Sequence, residues 1–328
     1  MIKPDSTSNK NKMLTTAQLQ ALQQITSVAR LSSYKHSLGT STPAETFGAY
    51  MWSTAVSSAF APLVQAIEIS FRNALNNALT AAYGADWFEH WVTQAAQQLR
   101  SAGRLRGQSE GERRIAQAKD KIREKDRSER NRKGQGSLPA GYTPSWQAVL
   151  AEMTFGFWVN FLTKAFWDIN TQSKLWPKHL TVVFPHAPSR LYAQGALHKE
   201  FKAVVDLRNR IHHQEPLWKH HSVANSTQAL AFLQQQRVAC TDRLSWLSPD
   251  KLTALQRYGV IAALDELCSA SSYQRFIGQS QGHTVCIDAA RQHLPTLPQQ
   301  IRPDQSIWLT SDSNEPCLVL KSAARRFF

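Results

Sequence analysis

The sequence has 328 residues, 42% of them hydrophobic and 19% charged, which allows a buried core and one to three globular domains. Its 38 Lys and Arg against 24 Asp and Glu leave a formal excess of +14, which favours polyanionic partners, chiefly nucleic acid or an anionic membrane surface. These hydrophobic and charged shares are ordinary for a globular protein, and the charge balance says nothing about fold.

Residues 1–14, MIKPDSTSNKNKML, are polar, lack an apolar signal core and read as a disordered N-terminus. From Thr15 to Arg30 the near-threefold spacing of Leu19, Leu22, Ile25 and Val28 predicts a helix, followed by a polar loop from Ser32 to Ser41. Pro43 to Tyr83 reads as two helices. In the second, Leu63, Ile67, Phe71, Leu75 and Leu79 recur every four residues, Glu68 and Arg72 are spaced to pair, and Gly84 is a stop. The apolar run Ala55 to Phe71 is interrupted by Ser57, Ser58, Pro62, Gln65 and Glu68, so no membrane span is expected.

Residues 100–133 carry 13 basic and six acidic side chains, half of the whole positive excess. Apolar residues are scarce there, so the stretch is either a solvated helix or a flexible arm. Arg113, Arg114, Lys119, Lys121, Arg123, Arg127 and Arg130 are its candidate RNA contacts, and phosphate contact of that kind would make binding steeply salt-dependent. A loop follows from Gly134 to Gly141. Ser145 to Trp167 is apolar and aromatic, a buried helix pair or one bent helix with Gly156 in the middle. Ser189 to His213 is helical again, as are Ala229–Gln236 and Lys251–Cys268. The last stretch offers two short β-like runs, SIWLT and CLVLK. Cys240, Cys268, Cys286 and Cys317 stand far apart, with no metal-type pairing, and fit free buried thiols in a reducing cytoplasm.

The chemistry concentrates in DLRNRIHHQEPLW, from Asp206 to Trp218. On a helical wheel with Val204 at zero, Arg208 falls near about 40° and His212 near about 80°, inside the apolar arc. Asn209 and His213 fall near about 140° and 180°, at its edge or beyond. A guanidinium on an apolar face needs a partner, a cleft or a second subunit, and Pro216 forces Glu215 out of helical geometry just downstream. These residue types suit RNA cleavage without a metal. A neutral His takes the 2′-hydroxyl proton, a protonated one supplies a proton to the leaving 5′-oxygen, and an Arg fork holds the non-bridging oxygens. Arg210 is a further candidate phosphate contact. The helix dipole alone would also gather Arg and His at a C-terminus, so spacing leaves both readings open. The chain offers no phosphate-binding Gly loop, no acidic cluster for Mg²⁺ and no zinc quartet, and no cofactor is expected.

Four segments then carry a resemblance. LSSYKHSL near residue 31, AIEISFRNALNNALTAAYGADWF (66–88), MTFGFWVNFL (153–162) with LWP (175–177), and LRNRIHHQEPLW occur in one order. Together they resemble the Abi-like (abortive-infection) branch of the HEPN superfamily over roughly residues 30–220, leaving the basic insert and the C-terminal hundred residues outside. The resemblance implies an all-α, HEPN-type helical bundle over 15–220; the basic insert within it at 100–140, and a mainly helical extension over 221–328 carrying the short β-like runs, are read from the residues themselves. It implies a homodimer whose Arg–x4–6–His motifs line one cleft, and metal-independent endoribonuclease activity in toxin–antitoxin or phage defence. Carried over, the motif residues are Arg208, Asn209 and His213, with His212 standing where a small residue is expected. The implied partners are RNA as substrate, a regulatory small RNA, an antitoxin and a second copy of the chain. A non-catalytic RNA-binding protein and a dimeric interaction scaffold are the alternatives.

Overall fold

Thr15 opens the first helix with a reciprocal cap: its hydroxyl accepts from the Gln18 N–H, and the Gln18 side chain accepts from the Thr15 N–H. The helix expected to Arg30 divides. α1 (Thr16–Thr26) stops at Ser27, whose φ of 69° breaks the helical run and whose hydroxyl caps α2 (Val28–Leu38). The loop expected from Ser32 is therefore mostly helix, because Leu31, Tyr34 and Leu38 form a buried stripe that overrides its polar composition. The computed structural model describes residues 14–278 and, beyond them, the backbone of three strands; residues 1–13 lie outside.

Pro43–Tyr83 is one helix, α3, of 41 residues, not two. Pro62 sits on its exposed side, where losing one backbone bond costs about 3 kcal/mol. Trp52, Val56, Phe60, Leu63, Ile67, Phe71, Leu75 and Leu79 are buried at helical spacing along the other side, each worth about 1.5–3 kcal/mol, and that stripe wins. Gly84 ends the helix at φ 90°, its N–H bonding the Thr80 carbonyl. Among the described residues α3 alone has the length and apolar composition of a membrane-crossing helix, but this long stripe is buried in protein.

The further helices are α4 (Trp87–Ser101), α5 (Glu110–Arg132), α6 (Trp146–Glu152), α7 (Phe155–Asn160), α8 (Leu180–Val183), α9 (Ala196–His212), α10 (Ser226–Leu247), α11 (Pro249–Arg257), α12 (Val260–Leu267) and α13 (Ala270–Phe276). The chain is thus all-α over its main body. The two β-like runs form β2 (Ser306–Thr310) and β3 (Pro316–Leu320), which pair antiparallel, and β1 (His283–Cys286) adds to β2 in parallel. The Ser145–Trp167 stretch is a pair of short helices, α6 and α7, followed by a 3₁₀ turn, Lys164–Phe166, so the helix pair and not the single bent helix is the reading that holds; Gly156 lies inside α7 and not between the two. Cys240 and Cys268 are buried, and burial pushes the Cys268 thiol up to about 12. The side chains of Cys286 and Cys317 lie outside the described residues.

Two compact units share this chain, each assembled from separated stretches. One draws its residues from Met1–Leu63, Asn209–Thr241 and Leu252–Phe328. Its core holds Trp52, whose Nε1 donates to the Leu267 carbonyl at 2.8 Å and whose ring meets Tyr273 edge-on at 4.9 Å. Gly48 lets the end of α13 approach: a Cβ there would stand 2.0 Å from the Phe276 carbonyl oxygen. Leu217 and Trp218 anchor the loop after α9, Trp218 packing on Tyr34 at 5.3 Å.

The other unit comprises Val64–Arg208 and Asp242–Lys251. Its centre is aromatic: Phe71 stacks on Phe201 at 4.8 Å and on Phe184 at 5.7 Å, and meets Phe155 edge-on at 6.3 Å. Two of the quoted motifs pack together here, since Trp176 of LWP donates its Nε1–H to the Phe161 carbonyl at 2.6 Å. His179, buried, lies with Nε2 2.9 Å from the Tyr83 hydroxyl, and burial lowers its pKa. The folded chain therefore favours neutral imidazole, while the unfolded chain protonates near about 6.5. The stability this contributes is present above that value and is lost as pH falls through it toward the lower folded value. Melting curves between about pH 7.5 and 5 should show the wild type losing more stability than His179→Gln; equal losses would exclude this group as a source.

Candidate active site

α9 buries Leu197, Phe201, Val204, Val205 and Leu207, and this fixes which way its last turn faces. Arg208 comes next to that stripe and is half-buried, 31% exposed. Its Nε lies 3.8 Å from the Glu68 carboxylate of α3, an ion contact too long for a hydrogen bond, and that buried Nε has no hydrogen-bond partner. The partner that the sequence required for this guanidinium is thus Glu68. The expected Glu68–Arg72 pair does not form, and the buried Nε of Arg72 also lacks a hydrogen bond. A neighbouring helix has supplied Glu68 with a cation in place of its own i+4 residue.

Asn209, His212 and His213 are exposed, so His212 stands outside the apolar face on which the wheel placed it. The His213 N–H bonds the Asn209 carbonyl at 2.9 Å, carrying the helical pattern one residue past the last helical position. Then the chain turns. Gln214 adopts φ 53°, its N–H bonds the Ile211 carbonyl at 3.1 Å, and the Glu215 N–H bonds the Arg210 carbonyl at 2.8 Å. This is a Schellman closure with glutamine where glycine is usual, a left-handed residue costing about 1–2 kcal/mol immediately after the two histidines. The sequence signalled a loosened helix end through Pro216; the structure makes it a tight turn.

Arg210 holds that turn. Its Nη2 donates to the carbonyls of Pro216 at 2.6 Å and Lys219 at 2.8 Å, and its Nε lies 3.6 Å from the Glu215 carboxylate. Burial lowers its pKa, with Glu215 opposing the shift. A guanidinium so engaged supports the 214–219 loop. Arg30 adds a second brace, donating to the Gln214 carbonyl at 3.2 Å, and Lys219 reaches the Ser33 hydroxyl at 3.2 Å.

The family model described as Abi-like protein matches residues 19–219. The chain belongs to the Abi-like protein family. No curated protein and no solved structure matches the chain. The match ties this Abi-like chain to abortive infection and runs through the basic segment that the four quoted motifs leave out.

That basic segment of the Abi-like chain is a helix and not a flexible arm. Ser109 and Glu112 form a reciprocal cap, Ile115 and Ala118 are buried, and α5 packs against α4 and α6. Its cations are largely paired: Arg113 and Arg114 with Glu110, Lys119 with Glu89 at 2.7 Å, Lys121 with Glu152, and Arg123 with Asp120 at 2.9 Å. Lys119 also sits 4.7 Å from the Trp146 ring centre. Arg130 donates to the carbonyls of Gln135 and Ser137, and Arg127 is exposed. Pairing consumes donors but leaves the segment's net charge unchanged, so its long-range attraction for a polyanion persists. The Arg100–Glu112 bridge at 3.0 Å holds the Glu112 carboxyl at about 2. Among the described residues no group of three or more His, Cys, Asp or Glu side chains could hold a metal ion.

Proposed function

We propose that this Abi-like protein is a metal-independent endoribonuclease toxin of abortive-infection defence, acting as a homodimer whose two α9 ends share one RNA cleft. The observation that carries the reading is the composition of that helix end. A guanidinium facing Glu68, its buried Nε without a hydrogen-bond partner, is followed by an exposed amide at the next position and by two exposed imidazoles about one turn on.

In the proposed reaction, one histidine removes the proton of a ribose 2′-hydroxyl, and the freed oxygen attacks the adjacent phosphorus. The bond from phosphorus to the 5′-oxygen breaks, and a protonated histidine gives that oxygen its proton. Arg208 stabilises the charge gathered on the non-bridging oxygens, and Asn209 orients a histidine or the phosphate. His213 follows Arg208 at the motif spacing; His212 shares the proton traffic. The paired basic helix α5 attracts RNA through its net charge.

The products test this directly. Single-stranded RNA incubated with the purified protein in EDTA should yield fragments ending in 2′,3′-cyclic phosphate, and a strand with deoxyribose at the cleaved position should stay intact. Cleavage that disappears on chelation, or that proceeds equally on the deoxy strand, would overturn the mechanism.

A further inference from the structure

The turn after His213 also forms one wall of a cavity of about 340 Å³ within the first unit. Ile211 and Gln214, which flank the two histidines in sequence, line it together with Arg30, Tyr34, Tyr50 and Ser57. Resting on the nuclease reading above, we propose that this cavity is a nucleoside subsite, taking one base with its ribose from the RNA strand beside the scissile phosphate.

Three features select a nucleoside. The first is size: ligand cavities run from about 300 to 1,000 Å³, so this one sits at the lower end, enough for one nucleoside and not for a folded strand. The second is the lining. Tyr50, half-buried, offers an aromatic wall; it is held edge-on by Tyr34 at 5.7 Å and flanked by Phe47 at 5.8 Å. Aromatic faces of this kind stack bases without demanding a particular one. Around it stand the hydroxyls of Ser53, Thr54, Ser57 and Ser58, short donors and acceptors suited to a ribose or a base edge. The third is charge. Arg30 is matched by Glu215 on the same lining, so the cavity presents no net positive charge and does not favour a phosphate. The neutral part of a nucleotide fits inside and the anionic part stays outside, toward the chain segment that carries the histidines.

The arrangement also gives the left-handed Gln214 a use. Its carbonyl is turned to accept from Arg30, which pins the turn against α2 and keeps the cavity wall and the His213 backbone in one rigid segment.

The test uses the full chain carrying His213→Ala, so that binding is read without cleavage, and a fluorescent single-stranded RNA oligonucleotide followed by anisotropy. Tyr50→Ala should weaken binding by about tenfold or more, as loss of one base-stacking face does, while Tyr50→Phe stays close to the parent. Ser57→Trp, which fills the cavity, should weaken binding to a similar degree, and its melting curve beside that of Tyr50→Ala separates loss of the site from loss of fold. Free nucleosides should compete with the oligonucleotide in the parent and inorganic phosphate should not. Unchanged RNA affinity in a folded Tyr50→Ala or Ser57→Trp protein overturns the subsite, as does competition by phosphate alone. If the variants behave as expected but the wild type cuts no RNA, the subsite stands and the nuclease mechanism falls.

Discussion

Replacing His213 with alanine should reduce RNA cleavage by about 10²–10⁴-fold, the usual contribution of one positioned acid or base, while leaving the melting curve unchanged. The second half of that expectation comes from the surroundings. The imidazole is exposed, it makes no hydrogen bond among the described residues, and the backbone bond from its N–H to Asn209 survives the substitution. Surface changes of this kind usually move stability by less than about 0.5 kcal/mol. In cells, growth arrest on expression of the wild type should vanish with His213→Ala at equal protein level. A variant that keeps full activity would remove His213 from the chemistry and return the motif to a helix terminus favoured by its dipole. A variant that unfolds would contradict the exposed position.

How much of this could be read from the sequence depends on distance along the chain. The four-residue recurrence from Leu63 to Leu79 places the buried face of α3 correctly, and the helix carrying Arg208 is found to within one residue at its end, though it starts seven residues later than expected, after a separate 3₁₀ turn, Ser189–Tyr192. The strands SIWLT and CLVLK are also visible, because alternating β-branched and apolar residues are a local signal. What fails is whatever a distant residue decides. Pro62 looks like a break, yet a stripe of buried side chains on the far side of the helix outweighs one missing hydrogen bond. Glu68 and Arg72 look like a pair, yet Arg208 lies 136 to 140 positions away and takes Glu68 by packing against the same helix. The basic segment shows the same limit. Its composition left helix and arm equally open; the Ser109–Glu112 cap is a local signal for the helix, but its docking rests on Glu89 and Glu152 of other helices, which no pattern within residues 100–133 contains. The cavity beside Gln214 was equally hidden, since Arg30, Tyr50 and Gln214 form it only after folding.

Phe71→Ala should cost about 3–5 kcal/mol, a large share of the about 5–15 kcal/mol that holds a domain folded. Phe71 is fully buried, and three other phenylalanines lean on it, so truncation removes a transfer term and also leaves a cavity that rigid rings cannot fill. The position matters for the site as well. Phe71 and Glu68 lie one turn apart on α3, and Phe201 and Arg208 lie two turns apart on α9. One pair of helices therefore carries both the Phe71–Phe201 stack and the Glu68–Arg208 ion contact. Loosening the first should let the second drift, so folded Phe71→Ala protein at low temperature should retain RNA binding but cleave more slowly than the wild type. Phe71→Leu keeps most of the volume and should recover most of the stability. Urea unfolding of the three proteins measures the first effect and single-turnover cleavage the second. A loss below about 1 kcal/mol would mean that the aromatic cluster does not hold α3 and α9 together, and the placement of Arg208 would have to come from its ion contact with Glu68 alone.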